Sequence, residues 1–234
     1  MTSRWNRGKI TSCSNNAYWD RDNVVVKYCV GYGQLPFSGA LDVVGHEWAH
    51  AITDTVGAHL TYQEESGALN EAFSDWMGTA LEWDAGERNW TIGEGIRVAR
   101  DMSNPLAYFQ PDTYGGTYWV NTVGCTATAD NDWCGVHRNS GVGNKMFYLL
   151  SAGGTHNGVT VTGIGIEKAI KIAYRANRGK KPNGDPYWPS DATFSTARDG
   201  MILAAQAIFG VRSFEAKQVA NAWSAVKVFG KVNP

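Results

Sequence analysis

The pentad His46-Glu47-Trp48-Ala49-His50 constrains this chain more than any other stretch, because its residues can act together only on a helix. The pattern turns helical from Leu41 onward and predicts a helix from Asp42 to about Val56. Residues four apart then project from one face a turn apart, so the His46 and His50 imidazoles can reach one ion, with Glu47 left as a candidate general base. The chain holds only 5 histidines in 234 residues, which makes two at this spacing around a glutamate informative. The plainer alternative is a pair of unrelated histidines on a helix surface.

A second predicted helix, from Ser66 to about Trp83, follows the loop Gly57-Ala58-His59-Leu60-Thr61. It carries Glu65, Glu71 and Asp75 on a segment able to pack against the first. A catalytic zinc site needs three protein ligands and an open position for water. Glu71 is the expected third ligand beside His46 and His50, and Asp75, one turn on, is placed to accept the free N–H of a ligating imidazole.

The rest of the chain supplies a frame. Thr11 to Val30 reads as a β-hairpin with its turn at Asp20-Arg21-Asp22-Asn23. Residues 84–143 read as irregular, rich in Gly, Asn, Asp, Tyr and Trp. Helices are expected over Lys145–Ala152, Ile166–Ala176, Ala192–Phe209 and Phe214–Val228, with Ile166, Ala169, Ile170 and Ala173 on the apolar face of the second of these. The net charge of −1, from 21 basic and 22 acidic residues, gives no electrostatic case for nucleic acid or an anionic membrane. No apolar run is long enough to span a bilayer, and the start of the chain lacks the apolar stretch of a signal, so an export signal is expected upstream or removed. Four cysteines suit two local disulfides, Cys13 with Cys29 and Cys125 with Cys134, and hence an extracellular protein; four reduced thiols are the alternative. His59 and His156 read as ordinary loop residues, and the 10 scattered tryptophans as core and cleft lining rather than a sugar-binding surface.

Three stretches together resemble the thermolysin family of zinc metallopeptidases: Asp42 to His50, Glu65 to Asp75, and Gly135-Val136-His137-Arg138-Asn139-Ser140-Gly141. The resemblance implies an α+β fold of thermolysin-like type. A residual β region over 1–38 would provide an edge strand for substrate, and a mainly helical zinc-binding lobe would occupy 39–234. It also implies roles for residues outside the pentad. Glu47 would deprotonate a metal-polarised water, Tyr62 and His137 would hydrogen-bond the oxyanion, and Asp132 would orient His137. Asn16 and Ala17 would hold substrate backbone, and Arg100 would grip the substrate carbonyl beyond the scissile bond. Phe37, Val43, Ile92 and Ile96 would line the pocket just after that bond, with Ala99 where a larger aliphatic is usual, favouring bulky apolar side chains.

The sequence departs from the family in three places. Asp42, Glu82 and Glu94 match calcium ligands, but Asn89 and Thr91 stand where carboxylates would complete a double site, so one calcium ion is expected. An extra residue within Val56–Leu60 lengthens the step from His50 to Glu71. Family members carry a large β-rich lobe before the segment matching Asn15, whereas only 14 residues precede it here. The expected function is that of a secreted, monomeric, neutral zinc endopeptidase acting on peptides or proteins. The alternatives are an aminopeptidase on the same scaffold and a zinc-stabilised binding module.

Overall fold

The protein is described by a computed structural model covering residues 13–31, 33 and 35–234. The first twelve residues of the expected 1–38 region, and Tyr32 and Gln34, therefore lie outside the described residues. The N-terminal hairpin pairs β1 (Ala17–Asp20) with β2 (Val25–Tyr28), Ala17 facing Tyr28 and Asp20 facing Val25. Asp20 closes its turn by accepting from Asn23 N at 3.1 Å and Asn23 Nδ2 at 2.9 Å and by pairing with Lys27. Cys13 and Cys29 form a disulfide. Trp19 Nε1 donates to Asp54 at 3.0 Å, Arg21 pairs with the same carboxylate, and Tyr28 Oη donates to the Val44 carbonyl at 3.3 Å. These bonds hold the hairpin on α1 (Leu41–Thr55).

Helix α1 lies against α2 (Glu64–Asp84), and two glycines set their separation. A Cβ added at Gly45 would sit 2.8 Å from Gly78 Cα, and one added at Gly78 would run into the Asp42 carbonyl. Backbone therefore meets backbone where the two helices cross. Around α2 pack α3 (Asp132–Ala152), α4 (Ile166–Arg178) and α5 (Phe194–Phe209), while α6 (Phe214–Ala225) joins α3 and α5. Trp76 of α2 stacks on Phe147 of α3 at 5.0 Å and meets Trp188 edge-on, and Trp188 Nε1 finds the Ala197 carbonyl at 3.0 Å. Because α2 is buried on most sides, it takes Ser66, Asn70, Glu71, Ser74, Asp75, Thr79 and Glu82 into the interior. Buried polar groups need partners or ligands, so α2 is where chemistry must be sought.

The fold is α+β, with three short antiparallel β-pairs against six α-helices among the described residues. Besides the hairpin it has β3 (Thr91–Ile92) with β4 (Arg100–Asp101), and β5 (Gly154–His156) with β6 (Val159–Val161). The stretch expected to be irregular to Gly143 is helical from Val136. Its glycines and small polar residues serve as contacts: a Cβ on Gly143 would meet Ala72 of α2 at 2.7 Å. The buried face of α4 is Ala169, Ile172, Ala173 and Ala176, with Ile166 and Ile170 only partly covered. His156, expected in a loop, ends β5 and lies 3.1 Å from both Thr113 Oγ1 and the Asp112 carbonyl. Among the described residues no helix is long and apolar enough to cross a membrane.

Candidate active site

The two histidines of α1 face Glu71 of α2. His46 Nε2 and His50 Nε2 lie 3.0 Å apart, at 3.4 and 3.3 Å respectively from the two Glu71 oxygens. The far side of each ring is committed. His46 Nδ1 donates to Asp75 Oδ1 at 2.8 Å, and His50 Nδ1 to Asn70 Oδ1 at 2.8 Å, with Ser74 Oγ 3.2 Å away. With the protons on Nδ1, both Nε2 atoms present lone pairs to each other and to a carboxylate. Glu71 is 1% exposed, and its Oε2 is buried without a hydrogen-bond partner. Three electron-pair donors converging in a buried space call for a cation, and two imidazoles with one carboxylate form a donor set suited to zinc.

The same carboxylates draw a proton onto His46 Nε2 when no other cation faces them. Burial disfavours a charged His46, yet the hydrogen bonds to Asp75 and Glu71 outweigh it and push its pKa up to about 10. Burial likewise opposes ionisation of Glu71, but His137 and His50 hold it well below the usual carboxylate range. The site favours positive charge next to an ionised Glu71. Glu47, on the same helix, is 6% exposed.

Asp75 is fully buried and serves more than one partner. It accepts Arg100 Nε and Nη2, both at 2.7 Å, and Asn144 Nδ2 at 2.7 Å, in addition to His46. Arg100, read from the resemblance as a substrate contact, thus spends two of its donors on the carboxylate behind His46. Opposite the histidines, Tyr62 Oη donates to Glu71 and lies 3.3 Å from His137 Nε2. His137 is half-exposed, and its Nδ1 is 2.5 Å from Asp132 Oδ1. The Glu71 charge, aided by Asp132, raises the His137 pKa against the opposing effect of burial.

Asp132 and His137 are set by an unusual turn. Asp132, Trp133, Cys134 and Gly135 all have positive φ, at 56, 50, 67 and 81°. Only glycine tolerates this region freely, so Trp133 and Cys134 must be held there. The disulfide from fully buried Cys134 to Cys125 does part of that, and Asn131 Oδ1 accepts from Cys134 N at 3.1 Å. The turn lets the Asp132 carboxylate reach both His137 N, at 3.0 Å, and the imidazole.

The extra residue between α1 and α2 does not displace Glu71 from the histidines. Asn177 of α4 ties the loop down, donating to Thr53 Oγ1 at 2.8 Å and accepting from Ala58 N at 2.8 Å, while His59 adopts a φ of 51°.

The remaining candidates are more dispersed. Asn16 is exposed and Ala17 half-buried on β1, which pairs only with β2 among the described residues. Phe37 and Ile96 converge on Gly31, Val43 lies beside Gly93, and Ile92 is 1% exposed within the core. Ala99 instead lines a pocket with Arg100, Asp132 and His137. Asp42, Glu82 and Glu94 bring carboxylate oxygens together between α1, α2 and the loop after β3. Burial raises the Asp42 pKa to about 6; burial, with Asp42 and Glu94 nearby, raises that of Glu82 to about 7. Asn89 donates to Glu82 at 3.0 Å and Thr91 hydrogen-bonds to Asn89, so neither adds charge to this cluster.

Sequence reasoning passed over Asn70, Ser74, Asn144 and Gln110. Asn70 and Ser74, four apart on α2, face His50, and that spacing was the available signal. Asn144 and Gln110 come from distant segments and had none.

Residues 58–228 match the family described as thermolysin metallopeptidase, alpha-helical domain, and residues 3–54 match thermolysin metallopeptidase, catalytic domain. The chain is 43% identical over 222 residues to a bacillolysin of Bacillus cereus, covering 92% of this chain and 36% of that protein. It is 44% identical over 225 residues to a thermolysin of Alicyclobacillus acidocaldarius, covering 92% of this chain and 38% of that protein. The chain thus spans little more than a third of the length of these relatives. Among solved structures, the precursor of protealysin, a metalloproteinase from Serratia proteamaculans, superposes with a TM-score of 0.67 at 28% identity, covering 92% of this chain and 65% of that one.

Proposed function

The chain belongs to the thermolysin metallopeptidase family, and from that premise we propose that it is a zinc endopeptidase hydrolysing internal peptide bonds of peptide or protein substrates. One observation carries the proposal: the mutually facing Nε2 atoms of His46 and His50 with the unpartnered Glu71 oxygen, beside a glutamate that is not needed to hold a metal. His46, His50 and Glu71 would hold the zinc, which when bound polarises water and the substrate carbonyl. Glu47 accepts the proton of the attacking water and returns it to the leaving amine. Tyr62 and His137 donate hydrogen bonds to the oxygen on which negative charge develops; His137 can do so because Asp132 and Glu71 favour its protonated form. Asp75 fixes the His46 tautomer, and Asn70 that of His50.

Peptide backbone is taken up along Asn16 and Ala17 on the side of β1 that no strand covers among the described residues, and Arg100 faces the carbonyl that follows the scissile bond. Phe37, Val43, Ile92 and Ile96 favour a bulky apolar side chain there. Asp42, Glu82 and Glu94 hold one calcium ion, whose charge offsets the repulsion that raises their pKa values. The two disulfides suit action outside the cytosol, as a monomer. Within the 1–38 region the hairpin Ala17–Tyr28 acts as the substrate edge, and 39–234 as the metal-binding lobe.

The test is hydrolysis of casein and of an aminoacyl chromogenic substrate by the zinc-loaded protein and by Glu47→Ala. Chelator-sensitive casein hydrolysis that disappears in the variant is the expected result. Activity confined to the aminoacyl substrate would make it an aminopeptidase. Bound zinc with no hydrolysis of either would make it a binding module.

A further inference from the structure

His137 is held at three points, and Asp132 accounts for only two of them. The Asp132 carboxylate meets the imidazole Nδ1 at 2.5 Å and accepts the backbone N–H at 3.0 Å. The third point is the backbone carbonyl, which accepts Gln110 Nε2 at 2.6 Å and Ser140 Oγ at 2.8 Å. Gln110 Nε2 also donates to Ser140 Oγ at 3.1 Å, so amide, hydroxyl and carbonyl form a closed set of hydrogen bonds. The left-handed run Asp132–Gly135 just ahead of His137 is held against the preference of its backbone. A tie on the carbonyl keeps that turn from relaxing through His137.

Gln110 is 5% exposed, and its Oε1 is buried without a partner. A side chain that only filled this space would be apolar, since an unpaired buried acceptor costs free energy. What the amide contributes is its nitrogen, whose bonds go to His137 and Ser140 alone. The helix makes room for it: a Cβ on Gly141 would sit 2.6 Å from both Gln110 Cβ and the Pro111 carbonyl oxygen. The Gln110 main chain is itself fixed, its N–H closing the turn Pro105–Tyr108 on the Pro105 carbonyl at 3.1 Å. Earlier in the same segment Lys145 Nζ of α3 donates to the Ser103 carbonyl at 2.8 Å, and Arg100 is bound to Asp75. The stretch from Arg100 to Gln110 is thus braced along its length before it reaches His137.

We propose that Gln110 is a positioning residue for the reaction: by holding the His137 carbonyl it keeps the imidazole beside Tyr62 Oη, 3.3 Å from Nε2, where the two can share one oxyanion. It touches the reacting atoms only through His137. A donor displaced by a fraction of an ångström stabilises the transition state less while leaving ground-state binding as it was, so the loss falls on kcat rather than KM. The inference rests on the peptidase reading, in which His137 donates to the oxygen that becomes charged.

The experiment measures kcat, KM and the thermal midpoint of the zinc- and calcium-loaded full chain on a fluorogenic peptide, for the wild type, Gln110→Met, Gly141→Ala, His137→Ala and the two double variants with His137→Ala. Gln110→Met keeps the length of the side chain and removes the orphan Oε1 along with the donors, so it should move the midpoint by no more than about 4 °C. It should lower kcat roughly threefold to thirtyfold, with KM within about twofold of wild type. Gly141→Ala pushes an unchanged Gln110 aside and should act in the same direction, and it decides alone if Gln110→Met does not fold. In the His137→Ala background neither change should alter kcat by more than about twofold, because no imidazole remains to be misplaced. A fall by the same factor in both backgrounds, as a merely structural glutamine would give, overturns the proposal, and so does wild-type kcat in Gln110→Met. If the wild-type chain cleaves no peptide, the peptidase reading itself falls and the role of Gln110 with it.

Discussion

Asp75→Asn should be among the most damaging isosteric changes possible in this protein. The fully buried carboxylate accepts four hydrogen bonds, from His46, Asn144 and both Arg100 donors, at 2.7 to 2.8 Å. An amide offers one acceptor oxygen and turns two N–H groups toward donors, and it leaves the Arg100 guanidinium, 16% exposed, without its counter-charge. Breaking one side of a buried pair costs about 3–5 kcal/mol, and losing the carboxylate behind a ligating imidazole costs about 10–100-fold in metal affinity. Burial raises the Asp75 pKa, but Arg100 and then His46 outweigh it and leave it below the ordinary carboxylate range. Its stabilisation is therefore full above that range and is lost only as pH falls through the depressed value. Urea unfolding at neutral pH in the presence of a chelator isolates the protein term, and competition with a chromogenic chelator gives zinc affinity. The double variant Asp75→Asn, Arg100→Ala should recover part of the loss, because it removes the stranded cation along with its partner. A loss below about 1 kcal/mol with zinc affinity unchanged would refute the reasoning, since it would mean that Arg100 is rehydrated at little cost.

Four further outcomes follow from the geometry. Gly78→Ala places a Cβ against the Asp42 carbonyl, so it should cost about 1–3 kcal/mol and, by spreading α1 from α2, weaken zinc binding; calorimetry with and without zinc checks both. Removing the Cys125–Cys134 bridge by double replacement with serine frees the left-handed turn that carries Asp132, and should lower kcat roughly tenfold or more with KM little changed. The same replacement at Cys13 and Cys29 should leave kcat alone. Glu82→Gln removes one of the crowded buried carboxylates, so it should raise the thermal midpoint in calcium-free buffer while abolishing the further rise that calcium gives the wild type.

The pentad and the Glu71-to-Asp75 run were legible because metal ligation on helices imposes a spacing, and α1 and α2 begin and end within two residues of where periodicity put them. Only the end of α3, Lys145–Ala152, was expected as helix; its first half was not, because Asn139, Ser140, Gly141, Gly143 and Asn144 look like loop composition. They are buried contacts: Gly143 and Asn144 meet Ala72 and Asp75 of α2, while Asn139, Ser140 and Gly141 pack on the loop residues Val120, Gln110 and Pro111. Low apolar content marked tight packing rather than its absence. The β3–β4 and β5–β6 pairs are only two and three residues long, too short for alternation to register.

The positions least readable from sequence are those where the backbone is held against its own preference. Phe109, Tyr118, Trp133 and Cys134 all occupy left-handed conformations in or beside the candidate site, and none belongs to a residue type that advertises one. Local propensity would place each in extended or helical backbone, so the surrounding structure must supply the difference. For Cys134 that support is visible, in the bridge to Cys125 and the Asn131 bond, and its product is the Asp132–His137 alignment. For Phe109 the support is local: it caps the short turn Pro105–Tyr108, its N–H reaching the Leu106 carbonyl at 3.2 Å and the next N–H reaching the Pro105 carbonyl at 3.1 Å. A left-handed residue that ends a helical turn stands where glycine is favoured, so Phe109→Gly should hold or raise the thermal midpoint, and a clear fall would show that the exposed ring contributes packing.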